Sequence, residues 1–182
     1  MGYLLLLLYH LAGTSALAYF FKRSFQKLLP FTILGTILVI YIFGLFNLLL
    51  VGLWVAVLLV VFGVVWLVLQ IVKDFRKFRA TFFNYILTPG MVVFSIIFSY
   101  VCFINQGRTI HDGDDFAHWG PMVKEMLRLN QFYDVPESLS LGHPDYPPAI
   151  SVYKYFFEFI GGGAYGKNLG YLMHNRYYVM VS

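Results

Sequence analysis

The chain has 182 residues, of which 59% are hydrophobic, 20% aromatic and only 12% charged, where ordinary soluble domains carry about 25% charged residues. That balance excludes a soluble globular domain and points to an integral membrane protein of the all-α class, a polytopic helical bundle. The net charge of +4 conceals a segregation: residues 1–104 carry seven Lys/Arg and one acid, a net +6, whereas 105–150 carry three Lys/Arg and seven acids, a net −4. The cations sit in short loops between apolar runs, so the basic balance reflects membrane topology and implies no nucleic-acid partner. The single cysteine, Cys102, lies inside an apolar run, which leaves neither a disulfide framework nor a thiolate metal site.

Four segments are apolar enough to cross a hydrocarbon core about 30 Å thick, which takes roughly 20 helical residues. They are predicted at 2–21, 28–46, 48–71 and 82–104. The second and third join through a tight uncharged turn around Gly44 and Asn47. The connections after the first and third are basic, with Lys22, Arg23 and Lys27 in one and Lys73, Arg76, Lys77 and Arg79 in the other. The positive-inside rule puts both basic loops in the cytoplasm, so the N-terminus and residues 105–150 face outward from the cell (plasma) membrane. Ala16-Leu17-Ala18 resembles a signal-peptide cleavage site, but the first span has no basic n-region, and cleavage would reverse the downstream charge bias. It reads as a retained span. Pro89-Gly90 interrupts the fourth span near its cytoplasmic end, where proline opens a helix or kinks it.

The external stretch is dense in chemistry: Asp112, Asp114, Asp115, His111 and His118 fall within eight residues at the exit of the fourth span. From Asp115 onward, Phe116, Trp119, Val123, Met126 and Leu127 keep the spacing of an amphipathic helix, with Asp114 or Asp115 as its N-cap. Such a helix would lie in the interface with Trp119 at headgroup depth, its polar side carrying His118, Lys124, Glu125 and Arg128. A carboxylate there can take the proton of an attacking hydroxyl, and cations can hold a departing phosphate or diphosphate. Two adjacent acids also offer hard oxygen ligands to a divalent cation, whereas His111 and His143 lack the paired spacing of metal-binding histidines and read as solvated.

Residues 149–160 are apolar and aromatic but contain Lys154 and Glu158 at i,i+4. They form either an interfacial helix or a short helix entering the membrane, ended by Gly161-Gly162-Gly163. The final stretch, with Lys167, His174 and Arg176, completes no span. The organisation expected is a four-span region over 1–104, an acidic external loop over 105–150, and an interfacial or further membrane region over 151–182, as the N-terminal part of a longer protein and inactive alone.

DGDDFAHWGPMVKEMLRLNQFY followed by HPDYPPAISVYKYFF resembles the first large external loop of GT-C type integral membrane glycosyltransferases, especially bacterial members with DDFSHW-like and YPPG-like elements. Ala117 stands where the first pattern prefers serine and Ala149 where the second prefers glycine. The resemblance covers about a quarter of the chain. It implies a helical-bundle fold, a polyprenyl-linked sugar donor and an acidic catalytic base, here Asp114 or Asp115. It further implies that Asp145-Tyr146-Pro147-Pro148 shapes the site, that Lys124, Arg128 and Lys154 serve the donor phosphate, and that many such enzymes need no tightly held metal. His118 either supports a carboxylate or sits at the lipid interface.

Plainer readings stand beside these. The acids also suit helix capping, Trp119 an interfacial anchor, Lys124 and Arg128 a solvated face, and Tyr146-Pro147-Pro148 a rigid turn. A non-enzymatic membrane subunit or a transporter for envelope glycan precursors competes with the enzyme. A transporter would place ionisable residues within its spans, and these four carry essentially none, with the neutral amides Gln70 and Asn47 near their ends. An enzyme is therefore expected.

Overall fold

The computed structural model describes residues 2–104, 120–136, 138 and 148–161, and every regular element among them is helical. Helices α1 (Gly2–Phe21), α2 (Phe25–Gly44) and α3 (Leu49–Lys73) are each long and apolar enough to cross a membrane. All three pack on one another. Large side chains point outward along them: Leu34, Leu38, Leu58, Phe62, Leu69 and Val72 are exposed. An apolar surround makes that exposure favourable, and with the length and composition of the three helices it marks the chain as membrane-spanning.

The turns between the spans are set locally. Lys22 adopts a left-handed φ of 53°, and the Arg23 N–H returns to the Ala18 carbonyl at 3.3 Å, the closing bond of a Schellman cap. Asn47, at φ 60°, turns the chain between α2 and α3, and asparagine tolerates that region better than most residues.

The interior is held by polar contacts as well as packing. The Tyr9 and Thr36 hydroxyls meet at 2.7 Å and those of Thr14 and Thr32 at 2.9 Å, while Thr36 donates to the Thr32 carbonyl at 2.8 Å. Within lipid, where apolar burial no longer drives helices together, such bonds and close packing do that work.

The fourth span differs from the continuous helix expected over 82–104. Helix α4 (Phe75–Thr81) runs into a π-helical turn (Phe82–Ile86), and α5 (Pro89–Ile104) then departs at 65°. Asp74 starts α4 by accepting from the Lys77 N–H at 2.9 Å. Pro89 opens α5, the position where its missing N–H costs nothing. Of the two roles open to this proline, opening a helix is the one realised, and the pair is either one broken span or a re-entrant loop.

Helices α6 (Gly120–Leu129) and α7 (Ala149–Gly161) close the bundle at the end opposite the basic loops. Met122, Val123 and Met126 join Leu6, Ile40, Leu49, Leu53, Tyr155 and Phe156 in one core. Gly44 is required here, because a Cβ on it would collide with the Phe132 ring. The amphipathic face of 120–129 is therefore buried against protein, where an interfacial helix had been expected to bury it in lipid. The preceding residues, with Trp119, lie outside the described part.

Candidate external-loop site

The geometry at this end begins with two helix starts. The Ser151 hydroxyl on the first turn of α7 donates to Met122 Sδ on the first turn of α6 at 3.7 Å, and Ser151 and Met122 are both fully buried. Farther along, Tyr155 Oη lies 3.5 Å from Asn130 Oδ1 just past α6. The contact between the two first turns sets the N-terminal ends of α6 and α7 side by side. The sequence element ending at Trp119 leads into one of these ends and the element ending at Pro148 into the other.

Asp114, Asp115, His118, Asp145 and Tyr146 lie outside the described residues, as do His111 and His143. Lys124, Arg128 and Lys154 are described. Lys124 is half-buried and Arg128 exposed on α6, while Lys154 is half-buried on α7. Burial lowers the Lys124 pKa, against the attraction of Glu125. Arg128 meets Glu125 through Nη2 at 2.6 Å and Nε at 3.1 Å, and that bond raises its pKa further.

Glu125 corrects one expectation. The helical wheel put it on the solvated side with Lys124 and Arg128, yet it is 4% exposed. A buried carboxylate needs a partner, and Arg128 three residues on supplies one. Some of the Arg128 charge is thereby directed inward at Glu125.

Glu158 is placed differently. Its Oε2 is buried without a hydrogen-bond partner, and burial pushes its pKa up to about 7. Helix α7, at 13 residues, is too short to cross a bilayer.

Two groups escaped the sequence analysis. His10 is buried in the middle of α1, so the spans do hold an ionisable side chain. Its Nδ1–H donates to the Leu6 carbonyl at 2.7 Å, which leaves Nε2 to accept from the Tyr153 hydroxyl at 2.6 Å. A histidine inside an apolar run was itself the available signal. Asn130, the second, has no sequence signature, since its partners come from three different helices. Among the described residues no group of three His, Cys, Asp or Glu could hold a metal ion, and the acids at 112–115 lie outside that set.

Comparison with protein-family models, with curated proteins and with solved structures finds no match.

Proposed function

We propose that the protein is a GT-C type membrane glycosyltransferase that moves a sugar from a polyprenyl-phosphate-linked donor to an external acceptor in envelope polysaccharide or glycan assembly. The observation that carries this reading is the contact between Ser151 and Met122. It joins the helix starts that follow DDFAHW and DYPP, so two elements separated by 25 intervening residues, 120–144, feed one place. Adjacent helix N-termini give that place a positive potential, which suits both the Asp114/Asp115 carboxylates and a departing phosphate.

In the reaction, the acceptor hydroxyl oxygen bonds to the anomeric carbon while the Asp114 or Asp115 carboxylate takes its proton. The bond from that carbon to the phosphate oxygen breaks, and the polyprenyl phosphate or diphosphate leaves with the electron pair. Lys124 and Lys154 hold that phosphate. Arg128 reaches it only through the part of its guanidinium not directed at Glu125, and its first role is to neutralise Glu125. Asp145 and Tyr146 shape the pocket beside His118, and a divalent cation bound by the paired acids would add Lewis acidity.

The second reading, a non-enzymatic subunit or transporter for envelope glycan precursors, gains from His10, because a buried titratable group paired to Tyr153 is what a translocation path uses. The two separate in proteoliposomes of the full-length protein loaded with a polyprenyl-linked donor whose sugar carries a label. A transferase releases label onto a water-soluble acceptor. A transporter moves the intact lipid-linked sugar across the bilayer without release, and that outcome would displace the enzyme reading.

A further inference from the structure

The basic end of the bundle holds a cleft of about 550 Å³ lined by Phe75, Arg76, Arg79, Ala80, Phe83 and Asn84. We propose that this cleft binds the phosphate of an anionic phospholipid headgroup, Arg76 and Arg79 holding the phosphate and Phe75 and Phe83 lying along the acyl chains.

Charge is the first ground. Seven cations, Lys22, Arg23, Lys27, Lys73, Arg76, Lys77 and Arg79, stand at this end with Asp74 as the one acid of residues 1–104. Asp74 is engaged in capping α4 through the Lys77 N–H. No acceptor within the described residues engages Arg76 or Arg79, and the ion pair between Glu125 and Arg128 lies at the other end of the molecule. Crowding is visible at Lys22, whose pKa is lowered by burial and then by the nearness of Lys77. Its ammonium rests over the Tyr19 ring at 3.7 Å, a weaker counterpart than an anion. Positive-inside topology accounts for such charge in general but not for a cleft between two arginines.

Shape and polarity supply the second ground and select a lipid over a soluble anion. Helix α4 follows directly on Lys73, where the apolar run of α3 ends, which is headgroup depth. Phe78 stacks on Tyr19 at 5.6 Å and fixes α4 to α1. Phe75 and Phe83 flank the arginines and are 61% and 58% exposed. Two phenylalanines at the mouth of a phosphate pocket are unfavourable in water and favourable against acyl chains. Guanidinium groups match phosphate with paired hydrogen bonds, which ammonium groups do not.

The third ground is rigidity. The π-helical turn, whose Leu87 N–H reaches the Phe82 carbonyl at 2.8 Å, brings Asn84 into the cleft wall, and such turns recur at functional sites. The bend behind it is locked by the Thr88 hydroxyl donating to Gln26 Oε1 at 2.8 Å. Gly90 lies so close to Gln26 that an added Cβ would fall 2.6 Å from the Gln26 Cβ.

The test uses the whole protein in nanodiscs, where both faces are accessible and membrane topology has no influence. Native mass spectrometry reads retained phosphatidylglycerol against phosphatidylcholine. The wild type should retain the anionic lipid about tenfold or more over the neutral one, and Arg76→Gln with Arg79→Gln should remove most of that preference. Arg23→Gln with Lys27→Gln removes equal charge without touching the cleft and should keep the preference. Equal loss in both pairs would reduce the feature to diffuse attraction and overturn the site. Inorganic phosphate in neutral nanodiscs should not protect against thermal unfolding, and protection equal to that of phosphatidylglycerol would overturn the lipid in favour of a soluble anion. Circular dichroism of each variant confirms that the bundle has folded. A variant that unfolds is replaced by Arg76→Lys with Arg79→Lys, which keeps the charge and should still weaken retention.

Discussion

Asn130 Oδ1 accepts a hydrogen bond from the Leu50 N–H at 2.8 Å, across 80 residues of sequence. Leu48 begins α3 without a side-chain cap of its own, and the first N–H groups of a helix have no partner within it. Asn130 therefore caps α3 from outside. It holds φ 55° while its own N–H returns to the Met126 carbonyl at 2.9 Å, so a single residue ends α6 and begins α3.

That double role predicts an ordered loss of stability. Asn130→Gly keeps the left-handed backbone and loses the cap, at a cost of about 1 kcal/mol. Asn130→Ala loses the cap and adds backbone strain, roughly 1 kcal/mol more. Thermal unfolding in detergent should rank wild type above Gly above Ala. An alanine variant as stable as the wild type would show that the contact contributes nothing.

Glu158 predicts a pH dependence with a definite sign. Its pKa is raised from an ordinary 4.5 to about 7 by burial, so the folded protein binds this proton more tightly than the unfolded chain. Its contribution is then most favourable below about 4.5, and stability falls as pH rises toward 7. Glu158→Gln lacks this titration. The stability of the Gln variant relative to wild type should grow from pH 4.5 to 7 and level off above, as read from unfolding midpoints at each pH. A difference that is flat across that window would show that the carboxyl is solvated in the folded protein.

Orientation is predicted from the basic loops. In a Cys102→Ser background and intact cells, an impermeant maleimide should modify Ser138→Cys and spare Ser24→Cys. The opposite pattern would put the acidic segment inside and remove a donor in the outer leaflet.

How far the sequence led can be followed residue by residue. Apolar length located both ends of α1, because a span in lipid is fixed by local composition, and the 3.6-residue period of Val123, Met126 and Leu127 located α6. The break at Leu87 and Thr88 was less legible, since Phe82 to Ile86 holds four apolar or aromatic side chains around Asn84 and only Pro89 marked the discontinuity. Glu125 was misjudged because a helical wheel shows which face a residue is on and not what covers that face. The bond between His10 and Tyr153 spans 143 residues, and no local pattern predicts such a partner. Of the candidate site, Lys124, Arg128 and Lys154 can be placed. Asp114, Asp115, His118, Asp145 and Tyr146 lie outside the described residues.

The central claim is that an acid of the Asp114/Asp115 pair takes the acceptor proton, and the most direct measurement is turnover and donor affinity of Asp114→Asn and Asp115→Asn in the full-length, membrane-embedded protein. Asparagine keeps the size and hydrogen bonding of the side chain and removes the base. One variant should lose about 10²-fold or more in turnover while binding the polyprenyl-linked donor as the wild type does. Wild-type turnover in both variants would contradict the account, leaving the two acids as helix caps and topological charge.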